Sequence, residues 1–454
     1  MSDNTPIESI EQYVPPPAEV LDGMKTVVEG TSFAGYSHVA EPAMGWDVDG
    51  VWVSFATEYR SGYSVHSSAA AYALSEGFGL PTQLVPHRHI DIDPDMFPVD
   101  RKVDYDKWHE GKVGRAHLLV AGYPPLEAAY LNGIAAKLIC YTAHEATRVS
   151  RFTVDICNKN FDEVWVVSDF CRRAFIESGV REEIVRTVPP MLYGGPWKQK
   201  FTEAEHHSFS RDGKQFSYTK GRDKSGPFRF GTQGTWFARK GMLDLVRAFY
   251  GAFSAQDDVV LEIRTSQMGG RLLTIKELEQ QIGDEIRAIK ATFQKPLPDI
   301  DLHTGTDATD QEVLDNLSAL DCYVNPSYGE GLGIPPLWAA MAGVPVITST
   351  FGASGEYFAK RGSVADRLVP HRLEKIDQSM PSMNRIYDFD QEWGRYDVAE
   401  FGAAMRSVFD AGRAINRDAA VRTRNDFNLD QMVAAMRPVM EKYLPAKLFN
   451  KVEP

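Results

Sequence analysis

Two short segments of the chain combine residue types that suit an anionic, hydroxylated ligand. The first, residues 325–338, reads Asn-Pro-Ser-Tyr-Gly-Glu-Gly-Leu-Gly-Ile-Pro-Pro-Leu-Trp. An apolar strand is predicted to end at Asn325, a glycine loop follows, and Pro335-Pro336 favours a helix start. Such a loop presents backbone N–H groups and the positive end of the helix dipole to a phosphate. Glu330 would repel a phosphate, so we expect it to bind hydroxyl groups beside one; the alternative is a tight turn with a surface glutamate.

The second segment, residues 228–241, reads Phe-Arg-Phe-Gly-Thr-Gln-Gly-Thr-Trp-Phe-Ala-Arg-Lys-Gly. It predicts a strand, a glycine turn at Gly234-Thr235, and a helix that opens at Arg239-Lys240. Two cations are unfavourable at a helix N-terminus because they face the positive end of its dipole. We therefore expect an anion to neutralise them, with a solvated basic pair as the alternative.

The elements that must position these segments alternate between strand and helix, which predicts the α/β class and parallel sheets covered on both faces. The pattern occurs twice, so we expect two doubly wound, Rossmann-like domains that face a central cleft, with ligands at the carboxyl ends of the strands. The predicted segments are an N-terminal extension (1–48), a first domain (49–195), a linker or surface loop (196–226), a second domain (227–425) and a C-terminal helix that returns towards the first domain (426–454).

Composition narrows the class of protein. Of 454 residues, 43% are hydrophobic and 24% charged, which excludes a disordered, collagen-like or coiled-coil chain. The formal charge of −13 disfavours extensive nucleic-acid contact, although basic residues concentrate in 194–226. The four scattered cysteines predict reduced core thiols. Since no apolar run is long enough to span a bilayer and the N-terminus is polar and acidic, we expect a soluble, cytoplasmic protein.

The two chemical segments resemble the donor domain of retaining GT-B glycosyltransferases of the family-four type, the glycosyl transferases group 1. That family has a strand followed by G-[RT]-x-x-x-R-K-[GN], and later P-S-x-x-E-G-F-G-[LI]-P-x-L-E-A-M-A-x-G-x-P-V. The matching residues are Gly234, Thr235, Arg239, Lys240 and Gly241, then Pro326, Ser327, Glu330, Gly331, Gly333, Pro335, Leu337, Ala340, Met341, Gly343, Pro345 and Val346. Residues 161–173, the strand end 141–145 and the loop 60–63 resemble the acceptor domain more loosely.

The resemblance implies a GT-B fold with an acceptor-side first domain and a nucleotide-sugar-binding second domain. It implies transfer of a hexose-like sugar from a UDP- or GDP-sugar to a hydroxyl acceptor with retention of configuration. The implied catalytic residues are Glu330, Lys240, Arg239 and His144. The implied donor contacts are Gly234, Thr235, Gly331, Leu332, Gly333, Ile334, Gly305, Trp338 and Gly62. The donor is a co-substrate, no cofactor is required, and a divalent metal is allowed but not predicted.

One position departs from the family pattern, which has a second glutamate where this chain has Trp338. The resemblance assigns that glutamate to the donor ribose, and an indole cannot accept those hydrogen bonds. Either another residue binds the ribose, or Trp338 stacks, or the donor differs, or activity is lost.

Other functions remain open at the level of sequence. A nucleotide-sugar epimerase or phosphorylase would share the architecture, and a non-catalytic sugar-nucleotide binder would share the site. The acceptor could be a glycan, a lipid-linked sugar, a small molecule or a hydroxylated nucleic-acid base, the last being disfavoured by the charge. Asp91-x-Asp93-x-Asp95 and the pair His87 and His89 are weak metal motifs. Glu76-Gly-Phe-Gly-Leu-Pro81 imitates the glycine loop but follows a helix, so Gly77 or Gly79 is expected to end that helix.

Overall fold

Two six-stranded sheets form the framework, and every strand pair in both is parallel. The computed structural model describes residues 50–55, 62–84, 116–132, 135–194, 205–211, 214–220, 226–266, 274–305, 310–376, 387, 390–446 and 448. Several predictions lie outside these residues: the extension 1–48, the metal motifs at 87–95, and the basic residues Lys198, Lys200, Arg222 and Lys224.

The first sheet has the order β2-β1-β3-β4-β5-β6. Its strands are β1 (Gly50–Phe55), β2 (Thr82–Leu84), β3 (Ala116–Gly122), β4 (Lys137–Thr142), β5 (Glu163–Val166) and β6 (Val185–Thr187). Its helices are α1 (Gly62–Tyr72), α2 (Pro125–Ala128), α3 (Arg151–Asn160) and α4 (Asp169–Ser178). Strands β4 and β5 are almost wholly buried, as expected where helices cover both faces of a sheet.

The second sheet has the order β11-β10-β9-β12-β13-β14. Its strands are β9 (Phe228–Thr235), β10 (Val259–Ser266), β11 (Ile300–Thr304), β12 (Cys322–Asn325), β13 (Val346–Ser349) and β14 (Arg367–Val369). Its helices are α5 (Met242–Ala252), α6 (Ile275–Lys290), α7 (Asp310–Ala319), α8 (Ile334–Met341) and α9 (Gly352–Arg361). The two sheets confirm the predicted class and give the chain two Rossmann-like domains.

Two antiparallel hairpins were not predicted. One pairs β7 (Glu205–Arg211) with β8 (Lys214–Lys220), inside the segment 196–226 that the sequence analysis treats as a linker or surface loop. The other pairs β15 (His371–Lys375) with β16 (Glu392–Tyr396) after the second sheet. Part of the segment predicted as a linker or surface loop therefore forms two paired strands.

The chain ends in three helices, α10 (Val398–Ala411), α11 (Arg417–Asp426) and α12 (Leu429–Tyr443). Helix α12 packs on the first domain: the Met191 N–H donates to the Met432 sulfur at 3.3 Å. Near its end, Lys442 and Tyr443 both donate to the buried carboxylate of Glu163, at 2.8 and 3.2 Å. The last helix thus completes the core of the first domain.

Both chain crossings between the domains meet at one point. The Leu192 and Tyr193 N–H groups, which leave the first domain, donate to the carbonyl of Phe427 at 2.9 and 3.2 Å. Phe427 lies where the chain returns from α11 to α12. The two crossings are therefore held together at a hinge-like junction.

Residues 76–81, which imitate the glycine loop, are structural, as predicted. A π-helical turn, Ala73–Gly77, follows α1, and Gly79 has φ of +64°. A Cβ on Gly77 would lie 2.3 Å from Val433 on α12, so this glycine permits close packing of the returning helix. All four cysteines are buried thiols, which confirms their predicted place in the core.

Among the described residues, no helix is both long enough and apolar enough to cross a membrane.

Candidate active site

The two chemical segments meet where the strand order of the second sheet reverses. Strands β9 and β12 are neighbours, with Gly231 opposite Tyr323, although two other strands separate them along the chain. The cation pair follows β9 and the glycine loop follows β12. Ligands of doubly wound sheets bind at this switch point, outside the carboxyl ends of the strands.

The cation pair packs directly on the glycine loop. A short 3₁₀ turn, Ala238–Lys240, leads to Gly241, whose φ of +64° favours glycine. A Cβ on Gly241 would lie 2.1 Å from the Pro326 carbonyl oxygen. The Tyr328 N–H donates to the Arg239 carbonyl at 2.8 Å. These backbone contacts fix where the side chains of Arg239 and Lys240 start.

Two carboxylates neutralise the cations, one from each domain. The Lys240 Nζ donates to Glu330 Oε1 at 2.6 Å, and an Arg239 guanidinium nitrogen lies 3.6 Å from Glu330 Oε2. A second Arg239 nitrogen lies 3.3 Å from Glu145 Oε1, and the Tyr387 hydroxyl donates to Glu145 Oε2 at 3.0 Å. The negative charge expected beside the cations is thus supplied in this structure by two glutamates.

Burial strengthens these interactions because little water screens them. The side chains of Arg239 and Glu330 are 12% and 13% exposed. Burial raises the pKa of Glu330, but Lys240 and Arg239 outweigh it, so this pKa lies below its ordinary value. Burial lowers the pKa of Lys240 below its ordinary value, with Glu330 acting in the opposite direction. The site therefore holds a permanent arginine cation beside a lysine whose charge depends on its partner.

The glycine loop ends at the N-terminus of α8, as predicted. Gly333 is the N-cap, with φ of +85°, and a Cβ there would lie 2.1 Å from the Ser354 Oγ. That hydroxyl donates to the Leu332 carbonyl at 3.1 Å. On the other side of the cleft, a Cβ on Gly62 would lie 3.7 Å from the Ile334 side chain. Loop and helix start thus face the first turn of α1.

His144 reaches the same place from the first domain, at the end of β4. A Cβ on Gly331 would lie 2.9 Å from the His144 carbonyl oxygen, so the two backbones are in contact. The His144 Nε2 bonds to the Arg148 carbonyl. Because a carbonyl only accepts, Nε2 carries the proton and Nδ1 is the acceptor. Burial lowers the pKa of His144, which favours this neutral imidazole.

The remaining predicted donor contacts are Gly234, Thr235, Gly305 and Trp338, and they lie at different places in the second domain. A Cβ on Gly234 would lie 3.7 Å from Lys240 Cδ, and Thr235 ends β9 beside it. Gly305 follows β11, which is two strands away from β9. Trp338 lies on α8 and is 4% exposed, and its indole N–H donates to the Leu192 carbonyl at 3.1 Å. The Trp338 N–H is therefore engaged at the junction between the domains.

Glu145 and Tyr387 were not predicted as site residues. Glu145 carried a signal, since it follows His144 at a strand end. Tyr387 lies between β15 and β16, where no periodicity pointed to a site.

No side chains among the described residues form a metal-binding group of three or more His, Cys, Asp or Glu. In this site the cations Arg239 and Lys240 are paired with glutamates. An anionic ligand at the N-terminus of α8 could replace those glutamates as the counter-ion. A diphosphate matches this pattern because Arg is a fork donor and Lys a point charge for phosphate oxygens.

The second domain is similar to a known family, and the whole fold is similar to solved structures. Residues 228–378 match the family model of the glycosyl transferases group 1. HepE from Anabaena, solved in complex with UDP and glucose, is 12% identical, with a TM-score of 0.54 over 86% of this chain and 99% of that one. Sucrose-phosphate synthase from Thermosynechococcus elongatus is 14% identical, with a TM-score of 0.53 over 86% and 98%. No curated protein matches the chain in sequence.

At these identities the solved structures establish the fold, while the family model covers the second sheet and its glycine loop. The chain therefore has the GT-B fold, and its residues 228–378 are similar to a domain of the glycosyl transferases group 1.

Proposed function

We propose that this protein transfers a sugar from a nucleoside-diphosphate sugar to a hydroxyl acceptor with retention of configuration. The observation that carries the proposal is the pair Arg239 and Lys240 at the switch point, packed on a glycine loop that opens α8. A UDP-sugar is the first donor to test, because HepE was solved with UDP and glucose and with UDP-glucose.

In this reaction the bond between the sugar C1 and the diphosphate oxygen breaks, and C1 bonds to the acceptor oxygen on the same face. The transition state has oxocarbenium character, and negative charge develops on the leaving diphosphate. Arg239, Lys240 and the N-terminus of α8 would stabilise that charge. The hydroxyl proton passes to a leaving phosphate oxygen, so the proposal needs no separate general base.

The glutamates acquire a second role in this scheme. A diphosphate that enters between Arg239 and Lys240 replaces Glu145 and Glu330 as their counter-ion. Glu330 is then free to accept hydrogen bonds from sugar hydroxyls. The Nδ1 atom of His144, which lies in the opposite domain, can accept another hydrogen bond from the sugar. Closure of the two domains around the donor would exclude water and limit hydrolysis.

The test is UDP release from UDP-glucose by wild-type protein and by Lys240→Ala, in the presence of a panel of hydroxyl acceptors. We expect Lys240→Ala to lose about 100-fold or more in kcat/KM while its melting temperature stays near the wild-type value. Lys290→Ala is the control, because Lys290 is an exposed residue at the end of α6.

Three outcomes would contradict the proposal. Near wild-type turnover by Lys240→Ala would refute the site. An epimerised or phosphorolysed donor would favour the other enzyme classes, and tight binding of UDP-glucose without turnover would favour a binding protein. NMR of the product decides the configuration at C1.

A further inference from the structure

The N-terminus of α4 in the first domain touches the glycine loop of the second. Ser168 is the N-cap of this helix, and its Oγ accepts from the Cys171 N–H at 3.3 Å. The same Oγ donates to the Gly331 carbonyl at 2.6 Å. One hydroxyl therefore both caps a helix and binds the loop that the proposed function assigns to the donor.

The Cys171 thiol lies between the two halves of the site. Its sulfur is 3.2 Å from the His144 carbonyl oxygen and 3.3 Å from the Gly331 carbonyl oxygen. It also accepts the His144 N–H at 3.4 Å. Cys171 is fully buried, and burial raises the pKa of its thiol to about 12, so it remains a hydrogen-bond donor.

The contacts of Ser168 and Cys171 are made to the carbonyl oxygens of Gly331 and His144, two backbone segments that pack tightly against each other. Gly331 touches the His144 segment at distances that a Cβ would already make too short. The proposed sugar contacts, Glu330 and His144, each lie within one residue of an atom held by Ser168 or Cys171. A shift of either contact would therefore change the separation of the donor loop from His144.

We propose that Ser168 and Cys171 are positioning residues for the transfer reaction, which set the glycine loop at its working distance from His144. The inference rests on the proposed function. It also implies that the distance between the loop and His144 is set only when the two domains are closed, since Ser168 and Cys171 belong to the first domain and the loop to the second.

A simpler interpretation is that Ser168 only caps its helix and has no influence on the site. Another N-cap serine in the same domain provides a control for this interpretation. Ser150 caps α3, a helix of 10 residues like α4. Its Oγ accepts from the Thr153 N–H at 3.1 Å and lies 2.9 Å from the Thr153 hydroxyl. These contacts are local, so Ser150→Ala removes a cap without touching the glycine loop.

The experiment compares Ser168→Ala, Ser168→Thr and Ser150→Ala by steady-state kinetics with UDP-glucose and by hydrogen exchange of the peptide spanning 327–333. We expect Ser168→Ala to lower kcat/KM about fivefold and to speed exchange of that peptide, as fits the loss of one net hydrogen bond. Ser168→Thr keeps the hydroxyl and should recover to within about twofold. Ser150→Ala should lower the melting temperature similarly and leave both other readouts unchanged.

Equal kinetics and equal exchange in Ser168→Ala and Ser150→Ala would overturn the positioning role. If Ser168→Ala does not fold, Cys171→Ala and Cys171→Ser replace it, and the same split between them is expected because the serine hydroxyl can still donate. A wild-type protein that turns over no nucleotide sugar would refute the proposed function, whereas exchange of the peptide 327–333 would still decide whether α4 holds the loop.

Discussion

Gly329 offers the sharpest test of how closely the domains approach. A Cβ at this position would lie 2.0 Å from the Glu145 backbone oxygen, across the cleft. The φ of Gly329 is not positive, so alanine would fit its backbone without strain. Gly329→Ala therefore acts as a wedge between the domains and leaves the loop conformation itself accessible.

The size of the effect follows from the distance. An ordinary contact of 3.4 Å would require the two backbones to separate by about 1.4 Å. Overpacking of this kind costs about 1–3 kcal/mol, and a misplacement of about 1 Å at a reacting centre can cost about 100-fold in rate. We expect kcat/KM for UDP-glucose to fall about 100-fold, with a decrease in melting temperature of only a few degrees.

Gly251→Ala is the matched control, because a Cβ on this exposed residue of α5 would meet nothing within 4 Å. Alanine there should stabilise the helix by about 0.5–1 kcal/mol. Small-angle X-ray scattering should show a larger radius of gyration for Gly329→Ala alone. Wild-type kcat/KM in Gly329→Ala would refute the reasoning, since the reaction would then not depend on this closed contact.

Three further changes test the packing and charge pairing of the two domains. Trp338→Glu would bury a carboxylate in the core, so we expect a lower melting temperature and no gain in UDP-glucose affinity; tighter binding by calorimetry would contradict this. Burial lowers the pKa of His66 to about 3, so the folded protein loses stability as the pH falls from about 6.5 towards 3, and His66→Leu should show a shallower decline of melting temperature with pH; equal slopes would count against it. Asp366→Ala leaves the buried Arg361 without its partner and should cost about 3–5 kcal/mol. Asp284→Ala removes the partner of the exposed Arg287 and should leave the melting temperature almost unchanged, so equal melting temperatures of the two variants would refute the difference.

The sequence predicted best those elements whose burial produces a clear pattern. Helix α10 is such an element, because Asp397 caps it and one apolar face is buried. Helix α11 was missed because it buries only Ala419, Ala420 and Thr423, which give no apolar period. The hairpin β7–β8 carried a signal that was overlooked, since Asp212-Gly213 between two polar strands is typical of a two-residue turn.

The residues of the candidate site also differ in how far the sequence alone could predict them. The cation pair and the glycine loop are local patterns, so their residue types and spacing were enough to select them as candidates. The partnership of Arg239 with Glu145 depends on how two separate domains approach, and no local pattern encodes that. The hairpin that carries Tyr387 to Glu145 is likewise placed by tertiary contacts, including the bond from the Gly394 N–H to the Tyr328 carbonyl at 2.9 Å.

The return of α12 to the first domain affects the order in which the chain can fold during synthesis. Met432, Met436, Val439 and Met440 are fully or almost fully buried in the hydrophobic cluster that includes the first sheet. The ribosome makes these residues only after the whole second domain. Domains generally fold in order as they emerge, but here the first domain must wait for the last helix with part of its apolar surface uncovered. The second sheet can close first, and we expect a nascent chain stopped before α12 to recruit chaperones through its N-terminal half.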